Sequence, residues 1–557
     1  MTNSATIARE AAALASQGDN EGADALYVKG LALFPEDARF ANSVGNFYAH
    51  SGRSEEALDL FTRALLLDRN LEEAAFNKAI LLLRLGCSKE AAWLLTDSWT
   101  GSTNAKYWAL RGDAERLSDD FSAARNSYDR SLTIEPINSR ALTGRARLAL
   151  ECGDEKAVAC YEEALAQSPG DPKLFLDYTQ ALVAAGRQSE ALECASALVD
   201  QLPTWVEGHS LYAEMIWSSG NDAEFGSKFE KALLAHPSPD LYLGWAHILS
   251  GIDRFAEAAD ILRQAHNKWP DNRTILLDLC IALGEAGAGS EAEQLFSRFD
   301  QPGSAEWQVA RCRNLIRIGL VDQAERRLFD LTKTKVADIS VWSLLDICWR
   351  LRGDTRHEWL HGQTGLVRQI ALPLCSDELS DIQLCLLKIH ETSAPPVGQS
   401  VKSGSQTKGA LFARREPELT RLKTALLDIL NDYKTGLPKQ DPSHPLLSMC
   451  DAAWRITSSW SIRLCGRGNH APHIHPKGLI SSACYFEVPA EVSQQGGPGW
   501  LDLGAPPTNL ETGLPALFSF QPTVGSCILF PSTMFHGTRP ISQGNRMTVA
   551  FDVTVAR

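Results

Sequence analysis

Three histidines near the C-terminal end of the chain have the types and spacing of metal ligands. His473 and His475 lie two residues apart, so on a β-strand both side chains face one side while Ile474 faces the other. His536 follows an apolar run at residues 527–530, which is typical of a distant strand able to bring a third imidazole to this pair. Imidazole is a common ligand of iron and other transition metals. The pattern therefore predicts one metal ion held by His473, His475 and His536.

A basic residue and a hydroxyl follow the third histidine. Arg546 lies ten residues after His536, and Thr548 lies two residues further, on the same face of a predicted strand. An arginine guanidinium can hold a carboxylate with two hydrogen bonds, and a neighbouring hydroxyl can add a third. Arg546 and Thr548 are therefore predicted to bind an organic acid beside the metal. No side chain is assigned a catalytic role beyond the metal centre.

Two further polar residues near these histidines are secondary candidates. His470 lies three residues before His473, and we expect it to support the ligands or to contact the substrate. Asp502 offers a carboxylate that could take the place of His475 as the third ligand. Its distance in sequence from the histidine pair ranks Asp502 behind His475.

The sequence pattern becomes that of β-strands near residue 454, and these strands must position the candidate residues. From there apolar residues alternate with polar ones, and clusters of glycine and proline separate the runs. Seven or eight short strands of this kind predict a jelly-roll core at about residues 454–557. An amphipathic helix at about 417–433 is expected to pack against this sheet. It follows a segment at 393–409 that we interpret as an ordered loop, with a flexible linker as the alternative.

The first two thirds of the chain contain a helical repeat. Amphipathic segments of helix length alternate with short turns, and no segment before about residue 360 has the pattern of a strand. Prolines recur at intervals of 33, 34, 34 and 33 residues, at Pro136, Pro169, Pro203, Pro237 and Pro270. Small and aromatic residues also recur at matching positions, so the period resembles that of the tetratricopeptide repeat family.

This resemblance implies about ten units over residues 1–365, stacked into a superhelix. In that family the concave face of the superhelix binds peptides or other proteins, so a peptide or protein partner is expected there. An array that only dimerises or stiffens the protein is the alternative.

The overall composition excludes several classes of partner. A formal net charge of −14 over 557 residues provides no general cationic surface for nucleic acid or anionic membranes. The thirteen cysteines are scattered and contain no CxxC pair, which favours reduced thiols in a reducing compartment. The first residues lack the apolar stretch of a signal peptide, and no window holds eighteen uninterrupted apolar residues. We expect a cytoplasmic protein with no nucleic-acid or membrane partner.

The C-terminal motifs together resemble those of the iron(II)- and 2-oxoglutarate-dependent dioxygenases. The histidine pair is followed by a glycine-rich segment with a tryptophan at 496–503, a Phe-Pro-Ser turn at 530–532, His536 and Arg546, in the order found in that family. The resemblance covers roughly residues 370–557. It is closest to a group of bacterial oxygenases that are often fused to tetratricopeptide arrays.

The resemblance implies a cofactor and a role for each matching residue. His473 and His536 would bind Fe(II), and Arg546 with Thr548 would hold the C5 carboxylate of 2-oxoglutarate, with O2 as the second co-substrate. His475 departs from the usual family pattern, which has a carboxylate two residues after the first histidine. A neutral imidazole there leaves the metal with one more positive charge than the common triad of two histidines and one carboxylate.

These observations predict a multidomain protein. An all-α tetratricopeptide superhelix at 1–365 is expected to precede a double-stranded β-helix, or jelly-roll, domain with flanking helices at 366–557. The expected activity is that of an Fe(II)- and 2-oxoglutarate-dependent dioxygenase that hydroxylates a peptide or protein recruited by the repeats, with a small metabolite as the alternative substrate. Two other classes remain open. One is an interaction scaffold with a degenerate oxygenase domain, and the other is a three-histidine dioxygenase that acts without 2-oxoglutarate.

Overall fold

The chain packs as two compact units, Met1–Ala181 and Leu182–Arg557. The computed structural model describes residues 3–98, 103–221, 224–300, 303–333, 338–391, 401–407 and 410–555. The predicted domain boundary between residues 365 and 366 stays a prediction.

The described residues up to Arg352 form a succession of helices. The first eleven, α1 to α11, are Ser4–Ser16, Asn20–Leu33, Ala38–His50, Ser54–Leu67, Glu72–Arg84, Ser88–Ser98, Ala105–Leu117, Phe121–Ile134, Ser139–Glu151, Ala157–Gln167 and Pro172–Ala184. The next ten, α12 to α21, are Gln188–Gln201, Val206–Ser218, Ser227–Ala235, Pro239–Gly251, Phe255–Lys268, Arg273–Glu285, Gly289–Arg298, Ala305–Arg317, Val321–Thr332 and Ile339–Arg352. None of the helices in the described part of the chain is long and apolar enough to cross a bilayer.

The prolines of the repeat lie where helices end. Pro136 lies two residues beyond the last residue of α8, and Pro270 occupies the same position after α16. A proline has no N–H group to continue the helical hydrogen bonds, and it disfavours helical backbone in the residue before it. The spacing of the prolines therefore marks successive helix ends, as predicted.

Small residues bring neighbouring helices together around buried aromatic rings. In the first unit, Tyr128 of α8 is fully buried and contacts Gly112 of α7 and Gly144 of α9. A Cβ atom on Gly144 would lie 2.4 Å from the Tyr128 ring, which is closer than packed atoms approach. Two glycines and one tyrosine thus set the spacing of three helices.

The C-terminal part of the second unit is built on antiparallel strands with two flanking helices. Its strands, β1 to β9, are Arg368–Ala371, Val401–Gln406, Trp454–His473, Ile480–Glu487, Leu501–Leu503, Phe518–Phe520, Ser526–Pro531, His536–Thr538 and Asn545–Val555. Helix α22, Ser376–His390, lies between β1 and β2, and helix α23, Pro417–Thr435, lies between β2 and β3. The strand order is β1-β7-β4-β9-β3-β8-β5-β6, and β2 pairs with β3.

The long strand β3 connects the two layers of this sheet. Its residues from Trp454 to Cys465 pair with β9, whereas His470 and His473 pair with β8. The register shifts between those two histidines, and such an irregularity bends a strand. Helical repeats are therefore followed by a jelly-roll with flanking helices, which confirms the predicted fold class.

The helix predicted at 417–433 is α23. Its apolar residues, including Leu422 and Leu426, are fully buried in one cluster with Phe486 of β4 and Val549 of β9, so the helix covers one face of the sheet as expected. The segment that precedes it differs in part from the expected loop. Residues 401–406 form β2, because their main chain pairs with β3, while 393–400 and 408–409 lie outside the described residues.

Candidate metal centre

The structure brings the three predicted histidines together. The Nε2 atoms of His473 and His475 are 3.2 Å apart. The ring centroid of His536 lies 4.2 Å from that of His473 and 4.8 Å from that of His475. One ligand nitrogen from each residue lies within 4.8 Å of the other two, and the described residues contain no second group of three potential ligands of this kind.

Strand pairing accounts for the position of each imidazole. His473 is the last residue of β3, His536 is the first residue of β8, and the two residues are paired across the sheet. His475 lies two residues beyond the end of β3, so the pair does not lie on one strand as expected. Ile474 nevertheless packs into a separate apolar cluster with Phe535, and it therefore faces away from the histidines as predicted.

Each histidine has an acceptor beside its Nδ1 atom. The carbonyl oxygen of Ala471 lies 2.8 Å from Nδ1 of His473, and that of Met534 lies 3.2 Å from Nδ1 of His536. These oxygens can only accept, so the Nδ1 nitrogen of each ring donates and Nε2 is left unprotonated. Unprotonated ring nitrogens that lie within 4.8 Å of one another fit a transition-metal ion, and hydrogen-bond partners at Nδ1 are usual for metal-binding histidines.

The surroundings keep the rings of His473 and His536 neutral. Burial, followed by the neighbouring His475, lowers the pKa of His473 to about 4. Burial and the other histidines lower the pKa of His536 well below its usual value. A neutral imidazole is the form that binds a metal, so these two residues do not have to lose protons near neutral pH before binding one.

Asp552 forms a hydrogen bond with His475, and it was not identified from the sequence. Its Oδ1 atom lies 2.5 Å from Nδ1 of His475, and its Oδ2 atom accepts a hydrogen bond of 3.1 Å from Ser458. Asp552 lies six residues after Arg546 on β9 and is therefore on the face that also carries Thr548. The signal that could have found it is an acid at even spacing from Arg546 in an otherwise apolar strand.

This aspartate supplies a carboxylate beside His475, the residue that departs from the usual family pattern. The carboxylate hydrogen-bonds to the far side of His475, so a negative charge lies one side chain further from the metal position than in the common triad. A carboxylate that accepts from a metal-binding histidine fixes the ring and raises its basicity. If His475 binds a metal as predicted, Asp552 would place a negative charge next to that ligand.

We expect Asp552→Asn to weaken metal binding about tenfold, which is the lower end of the range for such outer partners. Asparagine keeps the shape and an oxygen acceptor for His475 but removes the charge. The measurement is a Co(II) titration of the metal-free protein. Asp502→Asn is the matched control, because the Asp502 carboxylate is outside the cluster, and it should bind Co(II) like the wild type. Equal affinity of Asp552→Asn and wild type would show that the charge is unimportant.

Asp502 is not brought to the histidines. Its carboxylate accepts hydrogen bonds of 2.9 and 2.8 Å from Arg539 and one of 2.6 Å from Ser519. The next residue of β5, Leu503, is the one paired with His536, so the side chain of Asp502 lies on the opposite face of the strand. The structure thus gives Asp502 a partner of its own, away from the candidate ligands.

Arg546 is a buried cation without an acidic partner among the described residues. Its side chain is only 3% exposed, and its Nε atom has no hydrogen-bond partner. Its Nη2 atom donates a hydrogen bond of 3.5 Å to the Tyr485 hydroxyl, and the guanidinium carbon lies 5.0 Å from the centre of that ring. Burial lowers the pKa of Arg546. A charge held in this way costs several kcal/mol unless an anion joins it, so this site fits a carboxylate ligand.

Thr548 and His470 flank this arginine. Thr548 is buried, lies two residues from Arg546 on β9, and is paired with Tyr485 of β4. The His470 ring lies 5.1 Å from that of His473, and its Nε2 atom is buried without a partner. Burial, then His473 and then Arg546 lower the pKa of His470, because burial and nearby positive charge disfavour its protonated form. The ligand roles of His473, His475 and His536 and the clamp roles of Arg546 and Thr548 stay predictions.

Comparison with known protein families agrees with both halves of this description. Residues 458–552 match the model of a family described as "Putative 2OG-Fe(II) oxygenase", and this stretch contains the three histidines, Arg546 and Asp552. Residues 9–72 and 155–215 match tetratricopeptide repeat models. The chain thus combines N-terminal tetratricopeptide repeats with a C-terminal domain of this oxygenase family.

Matches to individual proteins are shorter. The peroxisomal targeting signal receptor of Candida albicans is 40% identical over 62 residues, which are 11% of this chain and 10% of that protein. Protein FlbA of Caulobacter vibrioides is 28% identical over 192 residues, or 34% of this chain and 31% of the relative. The chain thus spans less than a third of the length of these relatives. The crystal structure of PilW, a type IV pilus biogenesis factor, is 19% identical, with a TM-score of 0.35 over 38% of this chain and 99% of PilW.

Proposed function

We propose that this protein is an Fe(II)- and 2-oxoglutarate-dependent dioxygenase that hydroxylates a side chain of a peptide or protein. The observation that carries the proposal is Arg546, which is buried without an acidic partner among the described residues and lies opposite Leu464 of β3, the strand that ends at His473. A scaffold protein has no need for a buried cation beside a cluster of neutral imidazoles, and such an arrangement destabilises the free protein.

The three histidines would hold the iron through Nε2. The Nδ1 contacts of His473, His475 and His536 keep the rings oriented, so little reorganisation is needed on binding. Bound Fe(II), together with 2-oxoglutarate and O2, supplies the oxidising chemistry that hydroxylates a C–H bond. Three neutral ligands leave the charge of Fe(II) uncompensated. The 2-oxoglutarate dianion and the carboxylate of Asp552 would offset it.

Arg546 and Thr548 would orient 2-oxoglutarate through its far carboxylate. A guanidinium fork can donate two parallel hydrogen bonds to that group, and Thr548 can add a third from the same face of β9. The adjoining wall is apolar, with Ile462 and Leu464 buried on the neighbouring strand β3. Because this wall excludes water, the hydrogen bonds to the carboxylate would be stronger than in solvent.

A peptide or protein is the substrate class favoured by the repeats. Tetratricopeptide arrays present extended surfaces that suit a protein segment better than a small metabolite. One relative, matched over 62 residues, is by name a receptor for a targeting signal. A repeat array before the oxygenase domain would recruit such a segment and raise its local concentration at the iron.

Anaerobic reconstitution with Fe(II) tests the proposal and separates it from its alternatives. Addition of 2-oxoglutarate should produce a visible metal-to-ligand charge-transfer band, and admission of O2 should then yield succinate. Failure to bind iron would favour an interaction scaffold with a degenerate oxygenase domain. Iron binding without the band would favour a three-histidine dioxygenase that does not use 2-oxoglutarate, in which Arg546 would have no evident ligand.

A further inference from the structure

The turn that leads into His536 is held by residues far upstream. Thr533 lies in this turn and is buried. Its carbonyl oxygen accepts a hydrogen bond of 2.6 Å from Ser343 of α21, and its hydroxyl lies 2.9 Å from Nε2 of His361. Both the main chain and the side chain of Thr533 are therefore fixed three residues before a candidate metal ligand.

His361 lies beside an acidic residue of α21, Asp346. Its Nδ1 atom lies 3.1 Å from Oδ1 of Asp346, an ion-pair distance without the geometry of a straight hydrogen bond. Both side chains are almost fully buried. The carboxylate favours the ring proton on Nδ1, so Nε2 accepts from the hydroxyl of Thr533. Asp346, His361 and Thr533 thus form one buried polar chain, which is called the Thr533 network below.

Apolar contacts connect the same helix to both histidine segments. Phe535, which directly precedes His536, is buried in a cluster that contains Trp342 and Leu345 of α21. Ile474, between His473 and His475, packs against the same cluster. Residues next to all three candidate ligands therefore pack in one apolar cluster with side chains of α21.

A second set of bonds supports the loop after β5. Arg350 of α21 donates a hydrogen bond of 2.5 Å to the carbonyl oxygen of Gly504 and another to that of Pro515. The main-chain nitrogen of Gly504 in turn donates to the carbonyl oxygen of Phe535 at 2.6 Å. Arg317 of α19 donates to the carbonyl oxygen of Asn509 at 2.8 Å. Two helices of the repeat region therefore hold the chain around His536.

From these contacts we infer that Asp346, His361 and Thr533 are positioning residues of the metal centre, and that α21 is a structural part of it. The inference rests on the proposed function, since it concerns the site that would bind iron. A metal site needs its ligands held within about 0.5 Å of the productive geometry by a supporting layer. The buried hydrogen bonds to the carbonyl oxygen and the hydroxyl of Thr533 can provide that layer, because both fix the turn before His536. None of the three residues is a catalytic residue, because each acts on His536 through the intervening main chain.

The test is the pair Thr533→Val and Thr533→Ser in the full chain, titrated with Co(II). Valine keeps the shape but removes the hydroxyl, and it should lower Co(II) affinity about tenfold and alter the visible spectrum of the bound ion. Serine retains the hydroxyl and should restore both properties. Thr179→Val is the matched control, because Thr179 is a fully buried threonine of the first unit, and it should bind Co(II) like the wild type.

Hydrogen exchange of the metal-free protein separates failure of this inference from failure of the proposed function. Thr533→Val should speed amide exchange at residues 531–538 and leave α23 unchanged. Wild-type affinity, spectrum and exchange in Thr533→Val would overturn the inference, while Co(II) binding by the wild type would leave the proposed function standing. If the wild type binds no metal, the proposed function fails and the exchange data alone decide whether the Thr533 network holds the turn.

Ser343→Ala is the second variant if Thr533→Val does not fold. It removes the hydrogen bond to the Thr533 carbonyl oxygen, together with one to the Ile339 carbonyl oxygen within α21. The same local increase in exchange is expected, and its absence would overturn the inference.

Discussion

The variant His536→Ala is expected to lose tight Fe(II) binding, with an affinity more than about 100-fold below that of the wild type. Changing a partner behind a ligand already costs 10- to 100-fold, so removing the ligand itself must cost more. His536 is the only one of the three candidate ligands that β8 contributes. The measurement is anaerobic competition between the protein and a coloured Fe(II) chelator. His473→Ala should behave in the same way.

His470→Ala is the control for this loss. The ring of His470 lies 5.1 Å from that of His473, but it is not part of the group formed by the three ligands. Its replacement should therefore leave iron affinity close to that of the wild type. Succinate formation at the wild-type rate by His536→Ala or His473→Ala would rule out the assigned iron site.

The second large effect is expected from Arg546→Met, which should bind iron normally but bind 2-oxoglutarate at least about 100-fold more weakly. Two charge-assisted hydrogen bonds contribute about 3 kcal/mol or more together, and 1.4 kcal/mol corresponds to a factor of ten. The readout is the concentration of 2-oxoglutarate at which the charge-transfer band reaches half of its full intensity.

The same substitution should stabilise the protein when 2-oxoglutarate is absent. Methionine fills much of the volume and removes a buried charge that has no acidic partner among the described residues. The free energy of unfolding, measured with urea, should rise by about 1 kcal/mol or more. A fall in stability together with unchanged 2-oxoglutarate binding would refute the clamp role of Arg546.

Arg539→Met provides the matched comparison. Arg539 lies seven residues before Arg546, and its guanidinium already pairs with Asp502. Because this arginine has an acidic partner and is partly exposed, its replacement should not change 2-oxoglutarate binding. Any common effect of the two variants would reflect the loss of positive charge in general and not of a specific clamp.

Much of the site could be predicted because its chemistry is local in sequence. The spacing of His473 and His475 restricts where two imidazoles can point, and the interval from Arg546 to Thr548 places two side chains on one strand face. The order of these motifs also resembled that of a known family. The structure places the three histidines within contact distance and gives Asp502 a different partner.

Two features of the site could not be predicted in this way. Asp552 meets His475 because β9 also pairs with β4, where Val553 lies opposite Ile480, the first residue of the strand that follows His475. The Thr533 network joins His361 to Thr533 across 172 positions, so no local pattern predicts it. Contacts between elements distant in sequence depend on how layers stack, and the periodicity of each element carries no information about that stacking.

The sequence by itself determined the repeat period, the jelly-roll class and the candidate ligands, since each follows from short-range spacing of side chains along a helix or strand. Only the tertiary structure showed that Asp552 is the acid beside His475. It also showed that Arg546 is buried without an acidic partner among the described residues, and that α21 supports the turn before His536. The physical reason is that burial and pairing are properties of the packed layers. The type of a residue determines its chemistry, but its partner depends on which distant strand or helix lies beside it.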